Sequence, residues 1–314
     1  MASDRNRVSD DQTSPNIFAQ PLTIFGIPVD RETIFANHKG VYKSRIEKRQ
    51  RKLIVKTTHL NIKFFLHDNE RIRCLSTGYS PVGTFEQVLT GLAFLLFKRA
   101  LFIFTDKRLL HIPTRIGGGP AGSISQIFFE DCAKIWLKGR QLMIRYKTGD
   151  TERFPYIGRK EKKKIKTILE NLPIRPKEAG KLKGRVYVCP RCAGNLKSDT
   201  SSCPSCNLGF KRALMASLWA ALLPGGGYFY NRYMAPGVLI GLAEVIAAAV
   251  IGYYWMLYFK AEPVNLVPLV CSSGALLVEK YIMAFHAALL TTDFIPVAKD
   301  FALQKCKAGT PIRS

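Results

Sequence analysis

Two Cys-Pro-x-Cys pairs, ten residues apart, constrain this chain more than any other feature. The pairs are Cys189 with Cys192 and Cys203 with Cys206. Each pair can direct two thiolates at one ion from a tight turn, and the proline after each first cysteine favours that turn. Four sulfurs form the tetrahedral ligand set that structural Zn²⁺ prefers. The sequence therefore predicts a structural Zn²⁺ ion held by these four cysteines, with no ligand position left open.

The segment 187–210 that carries these cysteines is similar to a short zinc ribbon, although its ten-residue gap is shorter than the usual spacing. Two other interpretations stay open. Disulfides would need an oxidising compartment, and we expect no secretory signal at the N terminus. The second interpretation is a redox-active dithiol, but such a Cys-x-x-Cys pair normally lies in a βαβ context and needs no second pair. Ordinary thiols are predicted for the remaining cysteines, which are Cys74, Cys132, Cys271 and Cys306.

A formal net charge of +24 predicts an anionic partner, which could be phospholipid, nucleic acid or acidic protein. Much of the excess lies in residues 39–56 and 159–185. We expect part of it to meet anionic lipid headgroups, where each Lys or Arg contributes about 1 kcal/mol. The alternatives are solvated helix faces and a nucleic-acid surface. The candidate headgroup ligands are Lys43, Arg45, Lys48, Arg49, Arg51, Lys52, Lys98, Arg99, Lys162, Lys163 and Lys164.

Residues from about 59 to 156 break into short apolar and β-branched runs separated by turns, which predicts an all-β barrel or sandwich. A helix is predicted at 160–172, because its apolar residues share one face and Pro173 ends the pattern. The predicted strands cover 60–66, 72–76, 100–105, 108–112, 124–129, 133–137, 142–146 and 151–156.

Within this region, residues 101–110 read Leu-Phe-Ile-Phe-Thr-Asp-Lys-Arg-Leu-Leu. This is similar to the strand–Thr-Asp-x-Arg-Leu–strand hairpin of pleckstrin-homology (PH)-like and GRAM-like domains. The resemblance implies a PH-like β-barrel with a capping helix. It also implies lipid headgroups or peptides as ligands, since relatives often bind one or the other.

One apolar stretch, 85–97, departs from a minimal barrel. It is too short to span a bilayer, which needs about 20 residues. It could be a core helix, or a helix lying in the membrane interface with Lys98 and Arg99 at the headgroups.

The C-terminal third carries longer apolar segments. Residues 236–259 contain one charged side chain, Glu244, and are long enough to cross a hydrocarbon core of roughly 30 Å. A second long segment runs from 264 to about 297. A shorter run, 213–223, predicts a short span or a half-inserted helix. The following Pro-Gly-Gly-Gly-Tyr-Phe-Tyr-Asn-Arg resembles the turn of TM2-type small membrane domains, without the His-Arg often found there, and implies no defined activity.

Ionisable side chains recur on one face of the second long segment. Such groups are costly at membrane depth, so they favour either a functional polar track or pairing between helices. On this segment Ser272, Glu279, His286 and Asp293 recur every seven residues, so they share one face. The track would include Glu279 and His286 from this face and Glu244 from the first long segment, with Lys280 beside them.

Basic residues flank the apolar region on both sides. The positive-inside rule therefore predicts a membrane hairpin with both ends cytoplasmic, which also keeps the thiolates in a reducing compartment. This arrangement requires 213–223 not to cross fully. A three-span arrangement ranks second, because it would place the basic C-terminal tail outside.

The sequence thus predicts a multidomain α+β protein with a PH-like β-barrel and capping helix, a small zinc ribbon and an α-helical membrane hairpin. The predicted divisions are a disordered or partly ordered tail at 1–36, a basic segment and β-domain at 37–173, a basic linker at 174–186, the ribbon at 187–210, the membrane domain at 211–297 and a cytoplasmic tail at 298–314.

No nucleophile–base constellation or phosphate-binding loop is visible, and the five histidines form no zinc-protease motif. We therefore expect a non-enzymatic protein of the inner or plasma membrane, with cytoplasmic N-terminal domains and Zn²⁺ as its only cofactor. It would recognise anionic lipid or a protein partner. The alternatives are a channel or transport accessory subunit and a membrane-tethered nucleic-acid binder.

Overall fold

The computed structural model describes residues 22–58, 62–83, 86–87, 94–116, 119–172, 184–197, 200–260 and 265–297. These residues form a mixed α+β protein. Residues 22–36, part of the tail predicted to be disordered or partly ordered, contain two strands and a short helix. Most of the predicted basic linker and the whole predicted C-terminal tail lie outside the described residues.

The strands, numbered in chain order, are short. They are β1 (Leu22–Ile24), β2 (Ile27–Val29), β3 (Ile72–Tyr79), β4 (Arg99–Thr105), β5 (Arg108–Pro113), β6 (Ile124–Phe128), β7 (Cys132–Lys138), β8 (Gln141–Tyr146), β9 (Thr151–Phe154), β10 (Val186–Val188) and β11 (Asn195–Leu196).

The helices are α1 (Arg31–Ile34), α2 (Ser44–Thr58), α3 (Phe94–Phe97), α4 (Lys162–Glu170), α5 (Ala213–Leu222), α6 (Gly226–Tyr230), α7 (Met234–Phe259) and α8 (Leu266–Leu290). Short 3₁₀ turns cover Ile62–Phe65, Phe129–Asp131 and Thr291–Asp293.

Two sheets organise the N-terminal half. The larger has the strand order β1-β2-β3-β4-β5-β6-β10-β11, and the smaller is the antiparallel meander β7-β8-β9. All the strand pairs are antiparallel except β2 with β3, where Val29 pairs with Ile72. Seven of the eight predicted strands are confirmed as β3 to β9; the eighth, 60–66, is wrong, because Ile62–Phe65 forms a 3₁₀ turn.

The larger sheet is covered on both faces. Phe102 and Phe104 of β4 lie in a core shared with the smaller sheet and α4, whereas Leu101 and Ile103 lie in a second core with β1, β2 and α2. Because both faces are buried, β4 and β5 read as continuous apolar runs rather than as alternating ones. The helix predicted at 160–172 is confirmed as α4, whose apolar side closes the first core.

The Thr-Asp-Lys-Arg sequence between β4 and β5 builds its own turn. The Thr105 hydroxyl accepts hydrogen bonds from the backbone N–H groups of Lys107 and Arg108, at 3.2 and 3.0 Å. The Arg108 guanidinium then turns inward to a buried ion pair with Glu70 at 2.9 Å. Local side-chain hydrogen bonds therefore fix the hairpin.

No sheet closes into a barrel within the described residues, so the predicted PH-like barrel is not supported. The reason lies at the sheet edges. Strand β10 pairs with the outer edge of β6, and β1 and β2 extend the opposite side of the sheet beyond β3. The larger sheet therefore grows outward at both ends, while β7 to β9 remain a separate sheet.

Two helices, α7 and α8, are long and apolar enough to span a membrane. They run antiparallel, since Glu244 lies beside Lys280 and the Trp255 indole donates to the Ser273 hydroxyl at 3.0 Å. Helix α5 has only ten residues, about 15 Å of rise, which is half the thickness of a bilayer core. Its apolar residues contact the C-terminal half of α8.

Candidate metal centre and its junction with the apolar helices

The four predicted cysteines converge on one point. Their Sγ atoms all lie within 4.8 Å of one another. Cys189 lies 3.6 Å from Cys206 and Cys192 lies 3.5 Å from Cys203, far beyond a disulfide bond of about 2.05 Å. Tetrahedral Zn–S bonds of about 2.3 Å would place the sulfurs about 3.8 Å apart. The cluster can therefore hold one metal ion.

Two matching turns position these sulfurs. Ala193 and Asn207, which follow the second cysteine of each pair, both adopt the left-handed conformation, with φ of 57° and 55°. The Cys189 N–H donates to the Gly194 carbonyl at 2.8 Å, and the Cys203 N–H donates to Leu208 at 2.9 Å. Each Cys-Pro-x-Cys run thus folds back on itself, which aims its two thiols at the same side.

Burial opposes the ionisation of the first pair of thiols. Burial raises the pKa of the Cys192 thiol to about 12 and raises the pKa of Cys189 further still. A bound divalent cation needs thiolate ligands, so metal uptake must displace these protons. We expect metal binding to release protons and to tighten as pH rises.

The ribbon is continuous with the β-domain. Strand β10 pairs with β6, so that Val186 faces Gln126 and Val188 faces Ile124. Residue Cys189, the first of the four clustered cysteines, comes directly after this strand. The position of the cysteine cluster is therefore set by the larger sheet.

The other end of the ribbon pairs with the chain that leaves α8. The Lys211 N–H donates to the Ile295 carbonyl, and the Val297 N–H donates to Gly209, both at 2.9 Å. Phe294 packs into the ribbon core between Tyr187 and Phe210. The ribbon therefore contacts both the β-domain and the end of the second apolar helix.

A direct contact supplements this junction. The Ser123 N–H, at the start of β6, donates to the Asp293 carbonyl at 3.0 Å. A Cβ atom added at Gly122 would lie 2.3 Å from the same carbonyl, so only glycine fits there. The β-domain, the ribbon and the end of α8 thus meet around residues 293–297.

No protein-family model, curated protein or solved structure matches this chain. The resemblances to PH-like domains, zinc ribbons and TM2-type domains therefore stay predictions, and the geometry of the chain itself carries the argument.

Helices α5 and α6 form a helical hairpin against α7 and α8. The Ser217 hydroxyl donates to Ala284 near the start of α5, whereas the Asn231 amide, beyond α6, donates to Ala287. The chain therefore runs along α8 in one direction through α5 and comes back along it in the other direction through α6. The fit is close: a Cβ at Gly227 would lie 2.6 Å from the Ala287 methyl.

The predicted polar track separates into two places. Glu244 pairs with Lys280 at the turn between α5 and α6, and an oxygen of Glu279 is buried without a hydrogen bond. His286 lies elsewhere, with its Nδ1 2.8 Å from the Tyr228 hydroxyl and its Nε2 3.7 Å from Glu86.

The end of the apolar 85–97 stretch contacts the same helices. Phe97 stacks on Tyr228 and packs edge-on against Tyr233 and His286, with ring centroids 5.0 to 5.4 Å apart. The Tyr233 hydroxyl donates to the Phe97 carbonyl. Residues 84–85 and 88–93 lie outside the described residues, so whether the stretch is a core or interfacial helix stays a prediction.

The candidate headgroup residues do not form one surface. Lys98 is buried in an ion pair with Glu86 at 3.1 Å, and Lys164 donates to the Ile34 carbonyl. Arg49 pairs with Glu161, and Arg51 pairs with Glu47. The Arg99 side chain donates to the Leu95 carbonyl. The other candidates are exposed, except for Lys162, which is partly buried; the exposed ones are Lys43, Arg45, Lys48, Lys52 and Lys163.

Sequence reasoning missed Glu86, Tyr228 and Phe97 as junction residues. No local signal identifies their contacts with the apolar helices, because Tyr228 lies 131 residues from Phe97 and His286 lies 200 residues from Glu86. Arg115, Lys211 and Arg232 were also missed as site residues; they come from three segments that contact residues 293–297, where the β-domain, the ribbon and the helices meet.

Proposed function

We propose that this chain is a non-enzymatic membrane protein whose zinc ribbon holds a basic β-domain against an anionic membrane surface. One observation carries the proposal. The ribbon pairs through β10 with the larger sheet and through Lys211 with Ile295 beyond α8. A recognition domain attached in this way keeps a fixed position above the apolar helices.

The apolar surfaces of α7 and α8 support insertion in a membrane. Their exposed side chains are mainly large and apolar, such as Leu239, Leu277 and Phe259, which are 68 %, 72 % and 78 % exposed. Exposure of such a large apolar surface to water is unfavourable, whereas lipid tails would cover it. Two spans with a half-length α5 support the hairpin over the three-span arrangement.

Charge and cysteine chemistry support a cytoplasmic N-terminal region. Lys and Arg accumulate before α5, and such residues favour the cytoplasmic side. Four free thiols also persist best in a reducing compartment. Anionic lipids of the cytoplasmic leaflet would attract the +24 chain.

The identity of the metal as Zn²⁺ follows from the donor set. Four thiolates in a closed tetrahedral site are typical of structural zinc, and no position stays free for a water or a substrate. The site therefore stabilises the fold and performs no reaction. We retain the PH-like relation of the β-domain at 37–173 as part of this proposal, without a closed barrel. The succession of seven antiparallel strands, β3 to β9, and one helix, α4, supports it.

Lipid retention by the full chain tests the proposal. The purified protein is placed in nanodiscs of equal phosphatidylglycerol and phosphatidylcholine, and the lipids that stay bound after release are counted by native mass spectrometry. We expect enrichment of phosphatidylglycerol that weakens with rising salt. Equal retention of both lipids at low salt, or tight binding of added nucleic acid, contradicts lipid recognition.

A second candidate is a transport accessory subunit. The Glu244–Lys280 pair and Glu279 within apolar helices favour it, because ionisable groups at membrane depth mark ion and proton paths. Proton flux into liposomes containing the chain, abolished by Glu279→Gln, would support this function. The absence of flux favours a structural role for the pair.

A further inference from the structure

Three cations from three parts of the chain converge where the apolar helices meet the β-domain. Arg115 follows β5, Lys211 links the ribbon to α5, and Arg232 links α6 to α7. All three segments reach the chain that leaves α8: Ser123, beyond Arg115, donates to Asp293, Lys211 donates to Ile295, and the Arg232 side chain donates to Val297. Burial lowers the pKa of Lys211 to about 8, and the charges of Arg232 and Arg115 add to this effect.

Two nitrogen atoms of the Arg115 guanidinium are left without a partner there. These atoms, Nε and Nη2, are buried and make no hydrogen bond in the described part of the chain. Arg stays protonated in proteins, so two donors of a charged group are removed from water and uncompensated. Such a group costs folding free energy unless an anion completes it.

The neighbouring side chains do not supply an anion. The Lys211 ammonium lies over the Tyr230 ring, 4.6 Å from its centroid. The Arg232 Nη2 atom donates to the Val297 carbonyl at 2.5 Å. Among the described residues, no carboxylate forms an ion pair with Arg115 or Lys211.

The cluster lies at the level where the apolar helices begin. Lys211 precedes the first residue of α5 by two positions, and Arg232 precedes the first residue of α7 by two. Tyr230 and Tyr233 lie beside them, as aromatic side chains do at membrane interfaces. Lipid headgroups occupy this level in a bilayer.

We propose that Arg115, Lys211 and Arg232 bind the phosphate of an acidic phospholipid headgroup. Guanidinium groups match the geometry of phosphate oxygens, and three cations exceed what a zwitterionic headgroup neutralises. This inference rests on the proposed function, because it places the chain in a bilayer. It adds a defined site, made of residues other than those of the basic runs.

The experiment follows thermal unfolding of the full chain in a neutral detergent with added phosphatidylglycerol, phosphatidylcholine or inorganic phosphate. We expect phosphatidylglycerol to raise the unfolding midpoint. Arg115→Gln should raise the phosphatidylglycerol concentration needed for half of this effect about tenfold, as expected from losing a charged hydrogen-bonding group. Without lipid, the same variant should unfold at the wild-type temperature or higher, because it relieves repulsion.

Two more variants keep the test sharp. Lys211→Met should weaken the phosphatidylglycerol effect in the same way. Arg31→Gln removes the same charge from an exposed position on α1 and should respond like the wild type.

Three outcomes overturn the inference. If Arg115→Gln and Arg31→Gln need the same phosphatidylglycerol concentration for half of the effect, the site is contradicted. Stabilisation of both variants by phosphatidylglycerol would still support lipid recognition. Equal stabilisation by inorganic phosphate, lost in Arg115→Gln, identifies a site for free phosphate. The absence of any phosphatidylglycerol effect on the wild type contradicts the site and the proposed function together.

Discussion

The Lys280 ammonium lies 2.6 Å from the Glu244 carboxylate, although both residues belong to the two long apolar helices. The same carboxylate accepts the Gly225 N–H at 3.0 Å, and the ammonium reaches the Ala220 carbonyl at 3.3 Å. One ion pair therefore joins α7, α8 and the turn that ends α5. Its position ties the half-length helix to the long ones.

Breaking this pair on one side should be costly. Lys280→Met leaves the Glu244 carboxylate buried with an uncompensated charge, which destabilises by about 3 kcal/mol. The double variant Glu244→Gln/Lys280→Met removes both charges and should recover most of this loss. Thermal unfolding in detergent measures both, and a double variant no more stable than Lys280→Met contradicts this account.

The turn after α5 should accept only glycine at position 225. Gly225 has φ of +64°, and a Cβ atom there would lie 2.1 Å from the Gly237 carbonyl. Gly225→Ala should therefore displace the α5–α6 hairpin from α7 and lower the unfolding midpoint. Gly252→Ala is the matched control, since nothing lies within 4 Å of its Cβ and alanine favours the helix by about 1 kcal/mol. Equal midpoints for the two variants contradict the prediction.

His111 should make the β-domain less stable in mild acid. Its ring nitrogens lie 2.9 Å from the Ser80 hydroxyl and 2.8 Å from the Ser125 hydroxyl. Burial holds its pKa well below the ordinary 6.5, and the charges of Arg185 and Lys98 lower it further. The unfolded chain therefore gains a proton below pH 6.5 that the folded chain does not.

This contribution to stability is complete above pH 6.5 and is lost by about 1.4 kcal/mol per pH unit below it. We expect His111→Gln to flatten that part of the curve of unfolding free energy against pH. His38→Gln, at an exposed position, should keep the wild-type slope. A His111→Gln slope equal to that of the wild type between pH 5 and 6.5 excludes this linkage.

The metal content should follow the four converging cysteines. We expect about one zinc per chain in the purified protein. Cys203→Ser should lose most of it and unfold at a lower temperature, whereas Cys271→Ser, an exposed position on α8, should keep it. Elemental analysis of the variants checks this, and an equal zinc content in both variants would contradict a metal site at the four cysteines.

Local patterns predicted the elements that form through local interactions. The Thr105–Arg108 turn, seven strands, helix α4 and both long apolar helices follow from periodicity and turn chemistry. The strand predicted at 60–66 was wrong because a short apolar run fits a strand and a 3₁₀ turn equally well. The cysteine cluster was predictable because the Cys-x-x-Cys spacing brings the two sulfurs of each pair to one side of a turn.

Contacts between distant segments could not be predicted in this way. The pairing of β10 with β6 joins Val186 to Gln126 and takes up the edge at which a barrel would have closed. Nothing near either strand specifies the other. The same holds for Phe97 on Tyr228 and for Arg115 beside Lys211, where each side chain has an ordinary local setting.

The central claim is that the metal centre holds the β-domain to the end of the second apolar helix. Hydrogen exchange of the full chain tests it at the amides of Lys211 and Val297, which close the two bonds of this junction. With metal bound, both amides should be protected. After the metal is removed by a chelator, their exchange should accelerate roughly tenfold or more, while the β4–β5 hairpin stays protected. Unchanged protection of both amides in the metal-free chain would contradict the account.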